Sequence, residues 1–293
     1  MQLPFPFCMF DHNETLEQAR SRNVHDALME DIGAGDWTGQ LVPFPHQVTA
    51  RVLVREEAVL CGRDWFEGCM HGVDAGLQID WHYAEGDLMR ADTEVCHIRG
   101  EARSILTAER SALNFLQLLS GTATVTRRHV QAIEGASPHA CAVLDTRKTL
   151  PGLRQAQKYA VRTGGGRNQR LALWHGILIK ENHIAAAGGI RQVLAHARAL
   201  DAGVPIQIEV ETLEQLQEAL DAGAQSVLLD NFTPDRMREA VRLTAGRALL
   251  EASGGIGFEG LRTIAATGVD RISIGKLTKD VVATDYSLRV VAG

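Results

Sequence analysis

The chain has 293 residues, of which 45% are apolar and 23% charged, and its 30 Lys+Arg stand against 36 Asp+Glu for a net charge of -6. That is ordinary for a folded chain of one large domain or two smaller ones with a core of its own. The acidic balance argues against a general nucleic-acid binder, which needs a basic footprint.

The chain opens on residues 1–10, apolar but with two prolines and no basic leader, which do not read as a signal peptide. No apolar run reaches the length of a membrane span. The five cysteines, Cys8, Cys61, Cys69, Cys96 and Cys141, are odd in number and include no Cys-x-x-Cys pair. They read as reduced thiols of a cytoplasmic protein, and neither they nor the scattered histidines suggest a zinc site. Residues 23–31 pattern as a short helix, and residues 48–54, 58–60, 79–83 and 95–98 as short strands, with Glu85-Gly86-Asp87 as a turn. A long helix follows, in which Ile105, Leu106, Leu113, Leu116 and Leu119 recur near helical period and run on toward Val125 and Val130. It is expected to bridge the two halves of the chain.

From residue 141 strands and helices alternate. Strands are expected over 141–145, 176–180, 205–210, 225–230, 248–251 and 270–274, and helices over 190–200, 213–222, 234–244 and 260–267. Repeats of this kind build a parallel sheet, either a barrel or an open doubly wound sheet, and about six units are fewer than a regular barrel has. In α/β barrels chemistry gathers at the carboxyl ends of the strands. Those ends here are Asp145-Thr146-Arg147-Lys148, Lys180-Glu181-Asn182, Glu209-Val210-Glu211, Asp230-Asn231, Glu251-Ala252-Ser253-Gly254-Gly255 and Ser273-Ile274-Gly275-Lys276.

Three patterns stand out among them. Residues 145–181 hold eight basic and two acidic residues, a +6 window in a remainder of -12, as a site for a small polyanion would need. Within it Arg147, Lys148, Arg170 and Lys180 sit at or near strand ends, whereas Arg154, Lys158 and Arg162 read as a solvated helix face. Second, Ser253-Gly254-Gly255 and Ser273-Ile274-Gly275 close the last two strands, where small residues let backbone N–H groups approach a phosphate. Third, residues 205–211 alternate, so that Gln207, Glu209 and Glu211 share the face opposite Ile206, Ile208 and Val210. Glu209 and Asp230 would then stand in the barrel mouth, holding Mg²⁺ through its waters or ribose hydroxyls, unless they pair with interior cations. Lys180 could also serve as a Schiff-base lysine. His183 is expected near the site and His175 at the wrong end of its strand, while Trp37, Trp65, Trp81 and Trp174 read as core or interface residues.

The run Asp145-Thr146-Arg147-Lys148-Thr149-Leu150-Pro151-Gly152-Leu153-Arg154 resembles the quinolinate phosphoribosyltransferase family. So do residues 157–160, the Gly164-Gly165-Gly166 triplet, and residues 178–183, 229–231, 251–255 and 268–275. Residues 30–36, 106–110 and 113–117 fit as well. The resemblance implies an N-terminal α/β sandwich domain over 1–115, completed by 278–293, and an incomplete, six- to seven-stranded α/β barrel over 116–277. It also implies a transferase of NAD biosynthesis that joins quinolinate to 5-phosphoribosyl-1-pyrophosphate (PRPP) with Mg²⁺, releasing nicotinate mononucleotide, pyrophosphate and CO₂. No prosthetic group is expected, since the pyridinium formed is its own electron sink, and neither a nucleic acid nor a membrane is an expected partner. The implied assembly is a homodimer with a shared active site, able to assemble further.

By position, Arg147, Arg170 and Lys180 would line the quinolinate site, with Thr146 and Gln169 beside them and Arg110 entering from the partner subunit. Lys148 would lie between the substrates, with Glu209 and Asp230 at the ribose and metal end. Lys148, Glu209 and Asp230 are the expected catalytic residues. Ala252, Ser253, Gly254, Ser273, Ile274 and Gly275 would cradle the 5-phosphate. The chain departs from the pattern at Gln169, where the family has His, at Lys276, where it has Ala, and at His175, often Asp. Three alternatives stand beside this reading: a pyridine-carboxylate phosphoribosyltransferase without decarboxylation, a lyase on Lys180, and an inactive ligand-binding paralogue.

Overall fold

The computed structural model describes residues 13–291, so the reading of residues 1–10, Cys8 included, lies outside the described residues. The first half is built from α1 (Leu16–Ile32), β1 (Gln47–Val54), β2 (Ala58–Val59), α2 (Arg63–Val73), β3 (Gln78–Trp81), β4 (Leu88–Met89) and β5 (Thr93–Glu101). The long α3 (Ala102–Ile133) follows. The second half runs β6 (Ala142–Leu144), α4 (Arg154–Thr163), β7 (Ile177–Ile179), α5 (Glu181–Ala187), α6 (Ile190–Ala199), β8 (Ile206–Val210) and α7 (Leu213–Asp221). It continues with β9 (Ser226–Asp230), α8 (Pro234–Thr244), β10 (Leu249–Ser253), α9 (Leu261–Ala265), β11 (Arg271–Ser273), α10 (Lys276–Lys279) and β12 (Tyr286–Val291).

A four-stranded sheet in the order β12-β1-β5-β3 forms the first layer, with antiparallel pairing throughout. The chain's last strand thus returns to pair with its first, Val54 opposite Tyr286 and Thr49 opposite Val291. Against this sheet pack α1, α2 and α3, and Trp65, Phe66 and Met70 of α2 lie in the shared core. Helix α2 was not expected from the sequence, and α1 begins well before residue 23. Its N-terminus is fixed by a capping box between Thr15 and Gln18.

The second sheet is parallel, in the order β6-β11-β10-β9-β8-β7. A single bridge from Leu144 to Arg167 adds a rudimentary strand beside β6, and the sheet stays open between it and β7. This is the incomplete barrel that the alternation and the resemblance imply. Outward residues such as Ile208, Val210, Val227, Leu229, Leu250, Ala252 and Ile272 form one core with the surrounding helices. Helix α3 joins both halves: Leu113, Leu116 and Leu119 belong to the first core, whereas Val125, Val130 and Ile133 pack in the second. Residue 115 therefore lies inside a continuous helix, not in a linker.

The four described cysteines are unpaired. Burial pushes the Cys69 thiol up to about 12 and that of Cys141 to about 11, so neither is a ready nucleophile.

Candidate active site

The register of the parallel sheet sorts its inward side chains into layers. Glu209 of β8 lies opposite Leu228 of β9, which lies opposite Glu251 of β10, and Glu251 lies opposite Arg271 of β11. Gln207 is one layer nearer the amino ends, and Asp230 and Ser253 are paired one layer nearer the carboxyl ends. A pocket of about 180 Å³ at this carboxyl end is lined by Thr146, Arg147, Lys148, Gln169, Arg170, Leu178, Lys180, Glu209, Leu228, Glu251, Ser253 and Ser273. A larger cleft, about 740 Å³, lies elsewhere, beside the amino ends of β6 and β11. Size does not make it the site, because the convergent strand-end groups are aimed at the smaller pocket.

One buried pair holds the basic side of the pocket in place. Asp145 is 0% and Lys158 only 1% exposed, and Lys158 Nζ donates to Asp145 Oδ1 and, at 2.9 Å, to the Gln169 carbonyl. The same carboxylate accepts from Asn168 Nδ2 at 2.5 Å and from the Gln169 backbone N–H at 2.9 Å. The expectation that Lys158 belongs to a solvated helix face is wrong. Its turn of α4 faces β6, and its charge is tolerated inside because Asp145 lies opposite. Burial pushes the Asp145 carboxyl above its ordinary value and the Lys158 ammonium below its own, while each charge opposes the shift of the other. The effect is to weld residues 168–170 to the end of β6.

Arg154 is also half-buried, not solvated: it donates to Thr149 Oγ1 at 3.2 Å and to the carbonyls of Leu171 and Arg147. Arg162 alone of the three is exposed, and it donates to Asn168 Oδ1 at 2.6 Å. Arg147 lies close enough to Arg154 and Arg170 to reinforce the lowering that burial already imposes on both guanidiniums. Three unneutralised guanidiniums packed together form an anion site by their charge alone. Arg170 Nη1 donates to the Gly176 carbonyl at 2.9 Å, and Arg147 Nε is buried without a partner.

The other groups divide between floor and rim. Lys180 Nζ lies 3.0 Å from Glu209 Oε2, and because the lysine side chain is 45% exposed the pair stands at the pocket mouth, not in the interior. Asp230 stands one layer above Glu209, with Oδ2 accepting from Asn231 Nδ2 at 2.8 Å. The side chains of Ala252 and Ile274 are fully buried in the outer core, and the Ile274 N–H is spent on the Leu144 carbonyl at 2.9 Å. Neither side chain therefore faces the pocket; Ser253, Gly254, Ser273 and Gly275 remain of the expected cradle, with Gly255 beside them.

The N–H groups of Gly254, Gly255 and Gly275 donate to no protein acceptor among the described residues. Gly254 has φ +93°, and a Cβ there would lie 2.2 Å from Asn231 Oδ1, so no other residue fits. At Gly275 a Cβ would lie 2.9 Å from Lys148 Cδ, which places the Lys148 stem directly over that glycine. Lys276 and His183 are exposed and line no part of the pocket, and His183 Nδ1 accepts from the Lys180 N–H. His175 lies toward the amino ends, as its sequence position indicates. Arg110 is exposed on α3 and is not among the pocket residues of its own chain.

Glu251, Gln207, Asn168 and the Asp145–Lys158 pair were not singled out from the sequence as site residues. For Gln207 the alternation of β8 carried the signal. For Lys158 there was a weaker one: it lies three residues before Val161, on the apolar side of its helix.

No cluster of three or more His, Cys, Asp or Glu residues able to hold a metal occurs among the described residues. Mg²⁺ commonly binds through one or two carboxylates, waters and substrate phosphates, and Asp230 with Glu209 fits that limited role.

Fold and site together define an α/β-barrel protein made to hold anionic ligands against a cationic wall and a glycine cradle. Residues 36–120 and 122–289 match the profiles of the quinolinate phosphoribosyl transferase N-terminal and C-terminal domains. The chain therefore belongs to the quinolinate phosphoribosyltransferase family. It is 41% identical over 264 residues to a probable nicotinate-nucleotide pyrophosphorylase [carboxylating] of Bacillus subtilis, covering 90% of each chain. It is 39% identical over 289 residues to the nicotinate-nucleotide pyrophosphorylase [carboxylating] of Mycobacterium leprae, covering 96% of this chain and 98% of that one. Among solved structures, the nicotinate-nucleotide pyrophosphorylase from Francisella tularensis superposes with a TM-score of 0.90 at 42% identity, covering 96% of this chain and all of that one.

Proposed function

We propose that the pocket joins quinolinate to PRPP, giving nicotinate mononucleotide, pyrophosphate and CO₂, and so serves NAD biosynthesis. The observation that carries this is the lining of one pocket by Arg147, Lys148, Arg170 and Lys180 together with Ser253 and Ser273, the strand-end residues that lead into Gly254, Gly255 and Gly275, whose N–H groups are free among the described residues. The guanidiniums and Lys180 receive the two carboxylates of quinolinate, while the glycine N–H groups and Ser253 receive the 5-phosphate of PRPP.

The quinolinate ring nitrogen uses its lone pair to form a bond to the ribose C1, and the C1–O bond to pyrophosphate breaks with its electron pair. Positive charge on the sugar in the transition state is stabilised by Glu209 and Asp230. Lys148, whose stem crosses Gly275, lies between the cationic wall and the cradle and supports the departing diphosphate. The pyridinium then loses its C2 carboxylate as CO₂, the bonding pair remains at C2 beside N⁺, and a proton from solvent completes nicotinate mononucleotide. Asp230 and Glu209 would hold Mg²⁺, which would supply neutralisation of charge on the pyrophosphate. We assign no prosthetic group. Lys180 lies 3.0 Å from Glu209 Oε2, and no Schiff-base role is assigned to it.

Arg110 completes the site from a second copy of the chain, in a homodimer. None of the helices described is long and apolar enough to cross a membrane, and a cytoplasmic location is proposed. Substrate choice is tested by supplying PRPP and Mg²⁺ with either quinolinate or nicotinate and following the nucleotide product. Nicotinate mononucleotide should form from quinolinate alone, and product from nicotinate at a comparable rate would replace this reading with the non-decarboxylating one.

A further inference from the structure

Beneath the cationic wall a chain of side-chain amides crosses the barrel. Glu251 is 1% exposed, and its Oε2 accepts from Gln207 Nε2 at 2.9 Å. Gln207 Oε1 in turn accepts from Gln169 Nε2 at 2.8 Å, and Gln169 Oε1 accepts from the Arg170 backbone N–H at 2.5 Å. An ionised carboxylate can only accept, and a backbone N–H can only donate. The chain is therefore pinned at both ends, and neither amide can turn over without setting donor against donor or acceptor against acceptor. One N–H of Gln169 Nε2 remains without a protein partner among the described residues, on a side chain that lines the pocket.

Glu251 itself gains little from this. Its Oε1 is buried with no hydrogen-bond partner, an arrangement that costs free energy. This carboxylate lines the pocket floor, and its hydrogen bond to Gln207 connects it to the Gln169 amide on the pocket wall.

We propose that Glu251 is a positioning residue that acts through Gln207 to hold the Gln169 amide with its N–H toward the pocket, as a neutral donor to a carboxylate of the pyridine substrate. This rests on the assignment of the pocket to quinolinate. Gln169 and Gln207 do not titrate, so the donor that faces the pocket has no proton equilibrium of its own. An imidazole in the place of Gln169 would instead titrate near neutrality.

The test compares Glu251→Leu, Glu251→Gln, Gln207→Leu and Gln169→His with the unaltered protein. For each, KM for quinolinate, KM for PRPP, kcat and the thermal midpoint are measured from pH 6 to 8.5. Glu251→Leu and Gln207→Leu should each raise KM for quinolinate about ten- to a hundredfold, the worth of one hydrogen bond to a charged group, with KM for PRPP changed less than twofold. Glu251→Gln, which can still accept from Gln207, should recover most of that loss. Gln169→His should give a KM for quinolinate that rises with pH through the imidazole pKa, where the unaltered protein shows no such titration.

Equal changes in both KM values, or a Glu251→Gln variant no better than Glu251→Leu, would reduce Glu251 to a structural role and overturn the proposal. So would a Gln169→His variant without new pH dependence. Should Leu at 251 or 207 abolish folding, as the thermal midpoint would reveal, Gln169→His and Glu251→Gln still decide. Turnover of quinolinate by the unaltered protein in the same assay separates failure of the relay from failure of the substrate assignment.

Discussion

Removing one partner of a buried ion pair strands the other charge, at a cost of about 3–5 kcal/mol, and at Asp145 and Lys158 it would also release the segment that carries Gln169 and Arg170. Lys158→Met should therefore lower unfolding stability in urea by about that amount, and it should weaken quinolinate turnover far more than the exposed Arg162→Met does. A Lys158→Met protein of unchanged stability would show that the pair does not hold the segment. Lys148, Arg147, Lys180 and Glu209 were legible in the sequence because strand ends and alternation place them. Lys158 was not, because a lysine on a helix is ordinarily solvated, and only the fold reveals Asp145 opposite it.

Element type followed the density of pattern in the sequence. The strand-helix units of the second half keep apolar residues at the expected period, and α8 begins and ends where its Thr-Pro start and apolar spacing indicate. Helix α2 was missed because Gly68 and Gly72 interrupt it. Their lack of a Cβ matters, since one would lie 2.9 Å from Val24 Cγ2 at Gly68 and 2.7 Å from Leu28 Cδ1 at Gly72. They lower helix propensity in order to let α1 approach closely.

Helix α3 carries a pH-sensitive group, His129, whose Nδ1 donates to the Val125 carbonyl at 2.7 Å and whose ring meets Phe258 edge-on at 5.0 Å. Burial holds its pKa below the ordinary 6.5. The unfolded chain then binds this proton more readily than the folded one, so its contribution to stability is intact above about pH 6.5 and is lost as the pH falls through the depressed folded value. His129→Gln should flatten the decline in thermal midpoint between pH 7.5 and 5.5. An unchanged decline would assign acid sensitivity to other groups.

Over the whole molecule the net charge of -6 divides into an acidic body and a +6 window. The fold turns part of that window inward as the cationic wall and spends another part, Lys158, on scaffold. The proposed sharing of the site between copies is the feature least visible in one chain, because Arg110 does not line this pocket in its own chain. Mixing inactive Arg110→Ala and Lys148→Ala proteins in equal amounts should restore up to about a quarter of the unaltered activity, because about half the dimers are then hybrids with one intact site of two. No recovery despite proven subunit exchange would contradict the shared site.

The central claim is decarboxylating transfer at the carboxyl end of the barrel. It is tested most directly by supplying PRPP, Mg²⁺ and quinolinate labelled in its C2 carboxylate, then measuring released CO₂ and nicotinate mononucleotide together. The account predicts one labelled CO₂ for each nucleotide, with both lost in Lys148→Ala. Nucleotide formed without release of label, or no turnover by protein that binds both substrates, would contradict it.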